Sequence, residues 1–204
     1  LFGGVSSAAG PHGQTDRGIV VRRKIRMAAV AESSFSPADK HRRGGRPMSE
    51  FRIVAMPSET AARFRAGGLD ANGQPPERHI SDGDGVPCRH CLTDVAKGDP
   101  FLILAYRRFP KAQPYAEIGP IFLHADACRR YAEASIPAMF LARKQILIRG
   151  YGADDRIVYG TGMVIPSGDL AIAATKLFRR TDVAYAHLRS ASNNCFQCRL
   201  ERFE

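Results

Sequence analysis

The sequence predicts an α+β fold, a mostly antiparallel sheet accompanied by two main helices. Short β-branched and apolar runs recur from residue 51 onward, most of them joined by links of hairpin length. Two other segments carry helix start signals, one near the beginning of this region and one towards its end. Strands in series with helices set apart at the two ends are the pattern of an α+β domain.

The elements follow in order. Residues 51–56 form a strand, and Pro57-Ser58 then opens a helix with Ser58 as its N-cap and Glu59 in its first turn. Gly67-Gly68 ends that helix. Gly, Pro, Asp and Asn crowd residues 70–87, which predicts a long surface loop leading to Cys88. Strands follow over 101–106, 119–124, 145–151 and 156–165, the last two joined by a turn at Gly152-Ala-Asp-Asp155. Gly160-x-Gly162 lacks the third glycine and the helix of a dinucleotide fingerprint and reads as a bulge. Ser167 caps a helix over 168–180, with Asp169 at its positive end and Lys176, Arg179 and Arg180 near its negative end. Strands over 183–189 and 195–203 complete the set.

Charge is distributed unevenly. The net charge of +10 includes +6 from residues 1–47, which hold nine Lys or Arg against three acids; the other 157 residues contribute +4. The first 47 residues are rich in Gly, Ser, Ala, Arg and Pro, and predict a disordered basic leader ahead of one α+β domain over 48–204. Met48 stands directly before the first strand and reads as an initiator, which makes the leader a mis-assigned start. As a competing reading it is a basic arm that touches nucleic acid non-specifically; its arginines have no interleaved aromatics for base stacking. No stretch approaches the ~20 apolar residues of a membrane span. Five cysteines with no secretory signal before them fit a cytoplasmic, reducing compartment.

The most informative chemistry lies in two short pairs. Cys88-Arg-His-Cys91 and His124-Ala-Asp-Ala-Cys128 give C-x2-C, a 32-residue gap, then H-x3-C. Two thiolates on a turn, joined by an imidazole and a thiolate at helical spacing, are a donor set for a closed tetrahedral Zn2+ site. Such a site would staple the long loop before Cys88 to the sheet. Ordinary buried thiols and a redox dithiol at Cys88 and Cys91 are the alternatives, and no glycine follows Cys91 as it does in many zinc knuckles. His90 is expected to face solvent.

Cys195-Phe-Gln-Cys198 repeats the C-x2-C spacing, but positions three apart on a strand point to opposite faces. Cys198 is therefore expected in the core, beside Phe196 and Leu200. Catalytic candidates are few: Cys88 activated by Arg89 with His124 as base, or an anion site on the Tyr185, His187 and Arg189 face of the 183–189 strand. The first competes with zinc for the same sulfur; the second competes with a plain solvated face. Arg149 and Tyr151 have the same standing.

The run Pro87-Cys-Arg-His-Cys-Leu92, followed by Pro114-Tyr115, Gly119-Pro-Ile-Phe-Leu-His124, Arg149-Gly-Tyr151 and the closing segment from Cys195 to Arg202, resembles a bacterial family catalogued as a domain of unknown function, number 1203. The resemblance spans about residues 50–203. It implies no reaction and does not make zinc a family property, so it leaves Cys88, Arg89 and Cys195 as candidates for a role independent of metal.

Overall fold

The structure is a computed structural model that describes residues 51–203. The basic leader and the Met48 start lie outside the described residues. An α+β fold is found, with the strands divided between two antiparallel sheets. The larger contains β1 (Phe51–Val54), β5 (Gln145–Tyr151), β6 (Met163–Pro166), β7 (Tyr185–Ser190) and β8 (Phe196–Arg202), in the order β1-β8-β7-β5-β6. The smaller contains β2 (Glu77–Ile80), β3 (Pro100–Arg107) and β4 (Ile118–His124).

Helix α3 (Leu170–Phe178) covers one face of the larger sheet. Its Leu170, Ala174, Leu177 and Phe178 recur at helical spacing and pack with Ile146, Ile148, Leu188 and Leu200. The expected start at residue 168 is a single 3-10 turn, Ser167–Asp169, and Ser167 makes no side-chain cap. Helix α1 (Ser58–Arg65) lies against the smaller sheet's core through Ala61 and Phe64, with the Phe64 ring edge-on to Tyr106 at 6.3 Å. Pro57, not Ser58, occupies its N-cap position, and the Ser58 hydroxyl is 3.0 Å from His90 Nε2 instead.

Three stretches depart from expectation. Part of the 70–87 loop is β2, an exposed edge strand whose lack of an apolar face hides it from periodicity. The 156–165 strand contracts to β6: Thr161 N bonds Val158 O at 3.3 Å and Gly160 has φ of +80°, so this glycine makes a turn and not a bulge. A four-residue helix, α2 (Ala138–Leu141), tucks Met139 and Phe140 into the core.

The largest correction concerns β7. Its Tyr185, His187 and Arg189 face is buried, with all three 3% exposed or less, and is not solvated. Tyr151 stacks on Tyr185 with ring centres 5.2 Å apart, His187 sits 4.5 Å from Tyr151, and Phe109 and Phe196 close the group. Phe109 comes from the β3–β4 connection, a distant, polar-looking segment. Phe196 reaches this side because the β7–β8 ladder slips between Leu188 and Arg189: Leu188 pairs with Cys198 but Arg189 with Phe196. One extra residue on β8 turns the side chains beyond it to the other face. Cys198 is thus a core residue beside Leu200, as expected, whereas Phe196 parts from them. Beside this group Gly150 permits close packing, since a Cβ there would lie 3.1 Å from Val183 and 3.2 Å from Thr161.

Candidate metal centre

Cys88, Cys91, His124 and Cys128 come together at the edge of the smaller sheet's core, with their ligand atoms all within 4.8 Å of one another. A short antiparallel bridge between Pro87 and Asp94 closes the loop holding the first pair, and Leu92 N bonds Cys88 O at 3.0 Å inside it. Leu92 has φ of +54°, the left-handed conformation that glycine commonly supplies in such knuckles. That conformation costs about 1 kcal/mol or more for a residue with a side chain. Burial of Leu92 in the larger sheet's core, where it is 1% exposed, offsets the cost.

β4 supplies the other half. Cys88 pairs in parallel with Phe122, and Arg89 N bonds Phe122 O at 3.1 Å, which places Cys88 beside the end of β4 where His124 stands. After His124 the chain bends at Ala125-Asp126 without forming the expected helical turn, and Cys128 arrives on an irregular segment. Cys88 Sγ and Cys128 Sγ are 3.9 Å apart, and Cys91 Sγ is 3.3 Å from His124 Nδ1. A tetrahedral ion with metal–sulfur bonds of about 2.3 Å places two sulfurs about 3.8 Å apart and a sulfur about 3.5 Å from an imidazole nitrogen. These two separations suit a tetrahedral ion, and with all four donors within 4.8 Å the cluster could hold one.

Electrostatics around the cluster favour thiolate at Cys88 and thiol at Cys128. The Cys88 thiol is pulled far below its ordinary value by hydrogen bonds with Cys128 and Cys91, while Cys88 and Cys91 push Cys128 up, so the group shares its protons unequally. His124 is raised to about 10 by its hydrogen bonds with Cys88 and Cys91. A cation entering the cluster would have to displace these protons, so its binding would weaken as pH falls.

His90 is 2% exposed and not a solvent-facing spectator. Its Nδ1 is 3.1 Å from Cys128 Sγ and its Nε2 meets Ser58. Were Cys128 held as a metal-bound thiolate, the His90 proton would belong on Nδ1 and Nε2 would accept from the Ser58 hydroxyl. Arg65, in the last turn of α1, donates Nη2 to Cys128 Sγ at 3.1 Å and Nε to His124 O at 3.1 Å. These two donors went unrecognised in the sequence, because the register bringing α1 beside Cys128 is tertiary. Such outer partners orient ligands and stabilise their charge. His90→Ala should weaken metal affinity roughly tenfold to a hundredfold with the fold retained. Competition against a chromophoric chelator would measure this, with Ser58→Ala as the milder comparison; unchanged affinity in His90→Ala would exclude the role.

Arg89 points elsewhere. It is 1% exposed, its Nε donates to Phe196 O at 2.7 Å, and its Nη1 donates to Pro87 O. Burial lowers its pKa to about 10, against the opposing pull of the nearby cysteines. The other candidates, His187 and Arg189, lie outside the cluster. Arg189 holds Glu117 through Nη2 at 2.6 Å and Asn194 O through Nε at 3.0 Å, so its fork is already occupied. Burial, and then the surrounding arginines, push His187 well below the ordinary histidine value.

A family model described as "Protein of unknown function (DUF1203)" matches residues 85–202. No curated protein and no solved structure matches the chain. The match contains all four clustered residues together with Arg89, Arg149, His187, Arg189 and Cys195, while β1, α1 and β2 precede it. The chain belongs to the DUF1203 family.

Proposed function

We propose that the Cys88, Cys91, His124 and Cys128 cluster holds a structural Zn2+ ion that fixes the loop between β2 and β3 to the end of β4. The observation that carries this reading is the convergence of four donors, from the 87–94 loop and the end of β4, all within 4.8 Å of one another. Three sulfurs and an imidazole favour zinc over the oxygen-seeking cations. With every position taken by protein, the ion supports the fold and has no place for substrate. Cys88 then serves as a ligand and not as a nucleophile. None of the described helices is long and apolar enough to cross a membrane.

Elemental mass spectrometry on the untagged full chain, run beside thiol mapping, tests the proposal. One zinc per chain is expected, with Cys88, Cys91 and Cys128 alkylated only after chelation and Cys195 reactive throughout. Metal-free protein whose three cluster thiols react freely would overturn it.

A further inference from the structure

Arg89 is a buried cation without a carboxylate. None of the ion pairs among the described residues includes it. Two of its donors are taken by main-chain carbonyls, and Nη2 has no acceptor among the described residues. Arg89 nonetheless forms part of the wall of a cavity of about 520 Å³. Burying a guanidinium without a counter-charge costs several kcal/mol in general, a cost that an anionic ligand would offset.

The rest of the cavity agrees in charge and shape. Its charged lining is Arg89, Arg143 and Lys144, with no Asp or Glu. Arg143 is already bonded to Asp94 at 2.6 Å, while Lys144 makes no ion pair among the described residues and is exposed at the rim. Phe122, Met139, Phe140 and Ile146 give an apolar wall, and Ser190 and Asn193, at the β7–β8 turn, give a polar edge. The volume falls within the ~300–1,000 Å³ of small-molecule sites, which are mostly apolar with a few polar groups that fix orientation. The metal ligands Cys91, His124 and Cys128 open on a separate cleft, so this site does not depend on the zinc reading.

We propose that this cavity binds a small organic carboxylate with an apolar body. Arg89 and Lys144, the two lining cations without an anion among the described residues, receive the head group. The aromatic wall of Phe122 and Phe140 receives the body. Cys195 also lines the cavity and is half-buried, which makes its thiol a reporter of occupancy.

Amide-resolved NMR titration of the full chain with phenylacetate, 2-phenylethanol and phenyl phosphate tests the site. Phenylacetate is expected to bind saturably with a Kd of about a millimolar, as suits ten heavy atoms. Its shifts should centre on Phe122, Phe140 and residues 190–197, and it should slow alkylation of Cys195. The neutral alcohol should bind at least about tenfold more weakly, the worth of a charge-assisted hydrogen bond. Lys144→Glu, at an exposed position, should lower phenylacetate affinity about tenfold and leave Tm unchanged. Absence of saturable shifts, equal binding of the alcohol, preference for phenyl phosphate, or an unaffected Lys144→Glu protein would each overturn the proposal.

Discussion

Cys88→Ser is expected to empty the metal site and to lower Tm by about 10 °C, with the loss concentrated in the smaller sheet. Cys88 is fully buried and contacts the other three members of the cluster through its sulfur, its parallel bridge to Phe122 and its loop. A structural zinc couples its binding free energy directly to folding. Against a total stability of about 5–15 kcal/mol, losing about 3–5 kcal/mol is a large fraction. At about 2–4 °C per kcal/mol for a chain of this size, that is the shift named above. Cys88 belongs to the core formed with Val86, Val95, Ile121 and Leu123, whereas none of the four ligands belongs to the larger sheet's core. Hydrogen exchange should therefore accelerate most in β3, β4 and the 87–94 loop, and least in β5 and β7. A cavity effect alone would make the same substitution destabilising, so the decisive comparison uses a chelator. Chelation should lower the wild-type Tm by a similar amount and leave Cys88→Ser unmoved. A wild-type Tm insensitive to chelation would refute a stabilising metal.

The cluster was legible because metal ligands are few in type and their spacing is local. Cys88 and Cys91 share one turn, and His124 and Cys128 stand near one strand end, so donor chemistry and short spacing pointed to the four even though the helical turn expected between His124 and Cys128 does not form. What surrounds them was not legible. His90 looks like a spectator in sequence, and only the packing of α1 against the 88–91 turn makes it a partner of both Ser58 and Cys128. Strands with alternating or continuous apolar content, such as β5, were found with their bounds, whereas β2 has every residue exposed and offers no period to read. The β7 face was misread for a different reason. Tyr, His and Arg at alternate positions are the composition of a wet face, and the cover that dries it lies some seventy residues away, around Phe109 and Glu117. Sequence periodicity reports which side chains share a face, not what a distant loop lays over it.

That cover leads to the second large effect. Glu117 receives Arg108 and Arg149 through short ion pairs and Arg189 through Nη2 at 2.6 Å, joining the β3–β4 connection to β5 and β7 of the other sheet. The Arg108 and Arg189 side chains are only 3% and 2% exposed. Glu117→Gln keeps the shape but leaves three guanidiniums facing one another with no counter-charge. Removing one partner of a buried charge group costs about 3–5 kcal/mol, and because Glu117 is a third exposed the lower part of that range applies, with a fall in Tm of about 5–10 °C. The pH profile carries the signature. Burial raises the Glu117 pKa, but Arg108, Arg189 and Arg149 together outweigh it and hold the carboxyl below its ordinary 4.5. A depressed carboxyl contributes stability that is fully present above about pH 4.5 and is lost as pH falls through the folded value. His187, held neutral by burial and by the same arginines, acts in a higher window: below about pH 6.5 the unfolded chain takes up a proton that the folded chain refuses. Wild-type stability should therefore decline in two stages on acidification, and Glu117→Gln should retain the first stage and weaken the second, part of which belongs to Asp70, whose carboxyl, despite desolvation, is also held low by backbone hydrogen bonds. In Glu117→Ala the vacated carboxylate position should let added acetate restore part of the Tm, more than an equal ionic strength of chloride does. A Glu117→Gln protein that melts like the wild type with both stages intact would show that the three arginines need no anion at their centre.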